Sequence, residues 1–196
     1  MADNKSGRDK QAHDEAKRQQ KREMIAQLER MDETEPPVPE SDLGELKEEL
    51  EDVEFPATGA ELVAEVGGVL VYDEYVAADL IPETDNDRYE TPGAVTAQVQ
   101  RPTVASAMKR ITEVSEGVRG IEFGRSQWDA YQKTLRALAA IDADDDDETV
   151  TMITEWIVEQ IEGKEKLPGS RDVRRQAAKF CRAEGYEISD NDWLGV

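Results

Sequence analysis

Four basic side chains near the end of the sequence are spaced so that a helix would place them on one face. Successive residues of an α-helix are about 100° apart, so these four fall within roughly 80° of one another: Arg171, Arg175, Lys179 and Arg182. Val173, Ala177 and Phe180 fall near the opposite side, which predicts one basic and one buried face.

This basic face has two interpretations. The first is a contact surface for phosphate groups or for an acidic partner. The second is a face that forms salt bridges with the protein's own carboxylates, and the acidic middle of the chain favours it. Salt also argues for the second, because about four phosphate contacts would lose roughly 3–4 decades of affinity for a tenfold rise in salt.

A second candidate contact is a short amphipathic helix that follows Ser41. Its leucines recur at helical spacing and are Leu43, Leu46 and Leu50. They are either the first element of a core, which is the favoured interpretation, or a docking helix that inserts them into a partner's groove.

Residue types that carry catalysis or bind metals are scarce. His13 is the one histidine and lies in a polar segment, so no catalytic triad can be assembled. The acidic run 142–148 fails as a calcium loop, because Asp147 stands where an EF-hand needs Gly and Ile153 where it needs Glu. Cys181 falls toward the buried side of the last helix and is interpreted as a small core residue. We therefore expect no enzyme activity, no metal and no cofactor.

The charge of the chain is distributed unevenly. Residues 31–162 carry 9 Lys and Arg against 33 Asp and Glu, whereas residues 1–30 carry 8 against 6 and residues 163–196 carry 7 against 6. The net charges are −24, +2 and +1, which sum to −21. Such a surface repels itself unless salt screens it, and at about 1 M salt the Debye length is only about 3 Å. The composition predicts an acidic, cytoplasmic protein of a salt-in halophile, without a membrane-spanning segment.

Composition also suggests three parts. Residues 1–40 form a polar, locally basic tail, disordered or a lone helix, that ends in the proline-rich acidic linker 35–39. Residues 41–100 are expected to form a small, mostly helical α/β-type domain with a short strand pair. Residues 101–196 are expected to form a bundle of about four helices. The fold class is therefore mainly α with a minor β element.

Local signals place the elements of the middle part. Thr58 is a plausible cap for a helix that ends at Gly67, and a short β-prone run follows at 69–72. Pro82 ends the next apolar stretch, and Thr91 followed by Pro92 opens another helix.

The same middle part carries a family resemblance. Its order is an aromatic-Pro-Ala-Thr opening at 55–58, Glu-Leu-Val at 61–63, a glycine, a short strand, a Leu-Ile-Pro step, and Tyr89 followed by Thr-Pro at 91–92 and Val95. It resembles a small domain of unknown function from haloarchaeal proteins, and a related actinobacterial one. The actinobacterial pattern has Ala-Asp where Gly93-Ala94 stands here. The resemblance covers about 45 of the 196 residues and implies a fold and a lineage but no catalytic residue.

The sequence of residues 101–196 predicts helices throughout. Pro102 opens one that ends near Gly117, and Ser126 followed by Asp129 resembles a capping box for the next. A third helix follows the acidic run, and Ser170 is expected to cap the basic one. The inward-facing side chains of the third are predicted to be Met152, Ile153, Trp156, Ile157 and Ile161. The C-terminal Tyr186, Ile188, Trp193 and Leu194 are expected to fold back onto the helices.

Two functions from different classes remain open. A non-catalytic protein-interaction or adaptor module with an unknown protein partner is favoured narrowly. The alternative is an RNA- or ribosome-associated factor that uses the basic C-terminal helix face.

Overall fold

The computed structural model describes residues 37–72, 75–85, 88–121, 123–141 and 148–183. These residues form a mainly helical fold with minor antiparallel β-structure, which confirms the predicted class. The helices are α1 (Gly44–Leu50), α2 (Gly59–Val66), α3 (Ala77–Leu80), α4 (Pro92–Val99), α5 (Pro102–Gly117), α6 (Arg125–Ile141), α7 (Glu148–Lys164) and α8 (Ser170–Ala183). The predictions for the tail with His13, for the acidic run at 142–147 and for the C-terminal aromatic residues lie outside the described residues.

The strands form two separate pairs. β1 (Ala57–Thr58) pairs with β4 (Arg88–Tyr89), and β2 (Leu70–Tyr72) pairs with β3 (Tyr75–Val76). β2 lies in the run at 69–72 that was predicted to be β-prone, but the sequence did not identify β3 as its partner. The first pair joins segments about thirty residues apart and had no local signal in the sequence.

Capping side chains fix two helix starts as predicted. The Thr58 hydroxyl accepts a hydrogen bond from the Glu61 backbone N–H (3.2 Å), and the Glu61 carboxylate accepts one from the Thr58 N–H (2.7 Å). This reciprocal capping box satisfies two N–H groups that have no partner within α2. Thr91 caps α4 in the same way, accepting from the Ala94 N–H at 3.3 Å.

A close backbone approach follows the first cap. A Cβ added at Gly59 would lie 1.9 Å from the carbonyl oxygen of Pro82. The Ala60 N–H also donates to the Thr84 carbonyl at 3.1 Å. Glycine at position 59 therefore allows α2 to begin directly against the segment 82–84.

The leucines of α1 lie in the core. Leu43, Leu46 and Leu50 are at most 3% exposed and pack with apolar residues of α2, α3 and α4. The structure thus places in the core the side chains that a docking helix would have to present, in agreement with the favoured interpretation. Ser41 lies within a turn formed by residues 40–43, so the helix begins later than Ser41, at Gly44.

The folded part begins before the predicted end of the tail. Val38 is buried at 6% exposure, and its N–H donates to the Gln100 carbonyl at 2.7 Å. The described residues, which begin at Pro37, belong to one compact unit. The division into two domains at residue 100 stays a prediction.

Helices α5 to α8 surround a second core, as the four-helix prediction required. Its fully buried members include Met108, Ile111, Tyr131, Leu135, Leu138, Ile153, Ile157 and Cys181. Met152 was predicted to face this core and is instead 42% exposed. The reason is angular: Met152 is about 100° from Ile153, on the side away from Ile157.

Two helices begin earlier than their serines suggest. α6 starts at Arg125, because the Gly124 carbonyl accepts from the N–H groups of Gln127 and Trp128 at 2.9 and 3.0 Å. α8 likewise includes Ser170, and the Gly169 carbonyl accepts from Asp172 and Val173 at 2.8 and 3.0 Å. Neither Ser126 nor Ser170 is therefore the cap that the sequence predicted, and glycine occupies that position in both helices.

Candidate functional site

A groove of about 490 Å³ lies between α7 and α8. Trp156, Gln160 and Lys164 recur every four residues on α7 and form one wall. α8 forms the other wall, through Asp172, Arg175, Gln176 and Lys179. The loop between the two helices forms the end of the groove, through Lys166, Leu167, Pro168 and Gly169. Both walls carry cationic and amide side chains.

The charge of this region is opposite to that of the whole protein. Among the described residues, the lining contains four cations, Lys164, Lys166, Arg175 and Lys179, against the single carboxylate of Asp172, a net of +3. Residues 163–183 together carry seven Lys and Arg against two Asp and Glu, a net of +5, in a chain whose net charge is −21. A local positive potential attracts anions, including acidic surfaces of other molecules.

The four predicted basic residues are all exposed on α8. Arg175 and Lys179 line the groove, whereas Arg171 and Arg182 lie on α8 outside its lining. The structure therefore brings two of the four into the groove and leaves the other two as flanking charges on the same helix.

Their ion pairing separates the two interpretations made from the sequence. Arg175 approaches Asp172 at 3.5 Å, and both side chains are more than half exposed. Among the described residues, no carboxylate pairs with Arg171, Lys179 or Arg182. An exposed pair of this kind contributes only about 0.2–1 kcal/mol. Within the described part, then, the basic face is not neutralised by carboxylates of the same chain.

A partly buried network of hydrogen bonds holds the loop at the end of the groove. The hydroxyl of Tyr131, on α6, donates to the Pro168 carbonyl at 2.5 Å, and the Gln127 amide donates to the same oxygen at 2.8 Å. Gln127 also donates to the Tyr131 oxygen at 3.1 Å. Burial of this phenol raises the pKa of Tyr131 to about 12, which keeps it a neutral donor at physiological pH.

The same loop contains a strained residue. Glu165 directly follows α7 and has a φ of 50°, in the left-handed region that disfavours residues with a Cβ. This turn redirects the chain so that Lys164 and Lys166 both face the groove. The loop that completes the basic wall therefore contains a strained residue, Glu165, and a hydrogen-bonded anchor, the Pro168 carbonyl.

A second cleft of about 430 Å³ lies against α5 and has a different electrostatic character. Its cations contact carboxylates: Lys109 contacts Glu113, and Arg110 lies 3.8 Å from Glu155. Glu113 also accepts from the Glu83 N–H at 2.9 Å, so it holds the segment after α3. We interpret these charges as structural, and we take the α7–α8 groove, whose cations are largely without described carboxylate partners, as the candidate site.

Sequence reasoning found the basic face but not the groove. Trp156 was assigned to the core and is only partly buried, so it packs on the core and also lines the groove. Lys164 and Lys166 were not singled out. The spacing Trp156, Gln160, Lys164 at i, i+4 and i+8 was the available signal, because it places an aromatic, an amide and a cation on one stripe of α7.

The described residues contain no cluster of three or more His, Cys, Asp or Glu side chains able to hold a metal ion. None of the helices formed by these residues is long and apolar enough to cross a membrane.

We compared the chain with protein-family models, with curated protein sequences and with solved structures, and none of these comparisons gave a match.

Proposed function

We propose that this protein is a non-catalytic interaction module whose contact surface is the basic groove between α7 and α8 together with the flanking face of α8. The observation that carries the proposal is the net +3 of the groove lining in a chain of net charge −21. Carboxylates outnumber cations by 45 to 24, yet three of the four basic residues predicted to share a face of α8, namely Arg171, Lys179 and Arg182, contact no described carboxylate.

The partner is anionic. Cations that no described carboxylate contacts are available to attract a negative surface, and their potential complements such a partner. The working environment that fits the −21 charge is a salt-rich cytoplasm, as in a salt-in halophile, where the acidic surface is screened. The relation of residues 53–100 to the haloarchaeal and actinobacterial domain remains part of this proposal.

Of the two partner classes, the groove favours the RNA-associated alternative over an adaptor for another protein. The specific observation is Trp156, an aromatic side chain that lines the basic groove and offers a contact that salt does not screen. An acidic protein surface would use the cations but has no particular need of the indole.

The test is a paired charge removal. The double variant Arg175→Gln/Lys179→Gln removes two groove cations, and Arg119→Gln/Lys133→Gln removes two exposed cations outside it. Tagged proteins are purified from their host in molar KCl, with and without nuclease. We expect the partner to be retained by the wild type and by the Arg119/Lys133 variant, and lost from the Arg175/Lys179 variant. Equal recovery with both variants would refute the proposal, provided their melting temperatures agree.

A further inference from the structure

We infer that the α7–α8 groove binds single-stranded nucleic acid, with one base stacked on Trp156 and the adjoining phosphates contacted by Lys164, Arg175 and Lys179. This inference rests on the proposed function and specifies its ligand. It follows from three features of the described residues: the aromatic wall, the arrangement of cations around it, and the length of the basic face.

The aromatic wall provides the contact that recognises a base. Trp156 is partly buried, so the core holds its indole in place, and it lines the groove beside Gln160 and Gln176. Every base has a π-face, and stacking on an aromatic side chain contributes strongly without depending on salt. The two amides offer donors and acceptors to a base edge.

The cations surround the indole as a backbone-binding set. Lys164 lies two helical turns after Trp156 on the same stripe of α7, while Arg175 and Lys179 face it from α8. A base held between aromatic and amide groups leaves its phosphates at the rim of a groove, where exposed Lys and Arg side chains reach them. Duplex nucleic acid keeps its bases stacked inside, so a base on Trp156 requires a single strand.

The length of the basic face favours a strand over a free nucleotide. Arg171 and Arg182 lie on α8 beyond the groove lining, and eleven residues at 1.5 Å each span about 16 Å. Phosphates along a strand of B-form DNA are about 3.4 Å apart along the axis, so the face is several phosphates long. A mononucleotide would fill the groove and leave these flanking cations without a ligand.

Salt distinguishes the two parts of the contact. For a single strand, the logarithm of the affinity falls with the logarithm of salt at a slope of about −0.7 per phosphate contact. The three phosphate-binding cations therefore lose about two decades of affinity for a tenfold rise in salt, whereas the stacked base loses little. A ligand that works in molar salt must use the indole.

The experiment measures binding of a fluorescein-labelled single-stranded RNA of about 12 nucleotides by anisotropy, from about 0.2 to about 2 M KCl. The variants are Trp156→Leu and, as a matched control, Trp128→Leu. Both tryptophans are partly buried against the same core, but only Trp156 lines the groove. We expect Trp156→Leu to weaken binding roughly 5- to 140-fold at an unchanged salt slope, and Trp128→Leu to leave the affinity unaltered.

Three further variants separate stacking from charge and from misfolding. Trp156→Phe keeps a ring and should retain most of the affinity. Arg175→Gln/Lys179→Gln should make the salt slope shallower by about 1.4. Asp172→Asn removes the one carboxylate of the lining and should tighten binding several-fold, an outcome that a purely structural role does not produce.

Two outcomes would overturn the inference. In the first, the wild-type protein fails to bind the RNA at any salt concentration. In the second, Trp156→Leu and Trp128→Leu bind alike while poly-glutamate competes as well as RNA at equal charge. The second outcome leaves the proposed function standing, because the basic face would still bind an anionic partner, of the acidic-protein class.

Discussion

Removal of the two donors to the Pro168 carbonyl should destabilise the protein by more than the sum of the single changes. Tyr131→Phe deletes one hydroxyl and keeps the ring, which packs against Phe123 with centroids 5.3 Å apart. The carbonyl still accepts from Gln127, so we expect a net cost of about 1 kcal/mol. Gln127→Leu leaves the Tyr131 donor at 2.5 Å and should cost about as much.

The double variant differs in kind. With both donors gone, the Pro168 oxygen is left without either of its side-chain partners, and an unsatisfied carbonyl in this partly buried position costs about 1–3 kcal/mol in addition. We expect a total of about 3–5 kcal/mol and a coupling energy of about 1–3 kcal/mol between the two sites. The measurement is urea unfolding in molar KCl, monitored by far-ultraviolet circular dichroism, for the wild type, the two single variants and the double variant.

Additivity would refute this reasoning. If the double-variant cost equals the sum of the single costs within about 0.5 kcal/mol, the two donors act independently and the loop is held by other contacts. Hydrogen exchange at residues 165–169 provides the local readout, because loss of the anchor should raise exchange there before it rises in α5.

Three further changes test other parts of the fold. Gly59→Ala places a Cβ 1.9 Å from the Pro82 oxygen and should cost more than about 2 kcal/mol by thermal melting, whereas Gly68→Ala, with no atom within 4 Å of its added Cβ, should cost at most about 0.5. Glu165→Gly relieves a φ of 50° and should raise the free energy of unfolding by about 0.5–1 kcal/mol, while Glu162→Gly, in the last turn of α7, should lower it by about 1; equal effects would refute the strain argument. The Thr58 N–H lowers the pKa of Glu61, so the stability that Glu61 adds relative to Glu61→Gln should be present near neutral pH and be lost as the pH falls through the lowered pKa; a constant difference in acid titrations of stability would contradict it.

Features that depend on neighbouring residues could be predicted from the sequence. Thr58 and Thr91 cap their helices because a capping side chain bonds to a backbone N–H only three residues away. Pro102 begins α5 for an equally local reason, since its missing N–H has no role in a first turn. Where two local signals compete, the boundary moves: Gly169 provides the cap next to Ser170, and the helix starts one residue early.

Features that join distant segments could not be predicted in this way. The Pro168 carbonyl meets Tyr131 across 37 residues, and Gly59 meets Pro82 across 23. Neither contact has a periodicity, because each arises only when two elements pack. The groove also joins distant segments. The basic face of α8 could be predicted from residue spacing, but its position opposite Trp156 depends on the packing of α7 beside α8.

Whether a cation of this protein forms an ion pair depends on where it lies, because carboxylates are not in short supply. With 45 carboxylates for 24 Lys and Arg, almost every cation could have a partner. Lys47 lies 3.1 Å from Glu40, and Arg110 lies 3.8 Å from Glu155, as such an excess leads one to expect. On α8, by contrast, Asp172 is the only carboxylate that the described residues contribute to the groove lining, and it pairs within its own helix. A surface that excludes acid from one groove, while acid covers so much of the remaining sequence, has a potential suited to an anion from outside the chain.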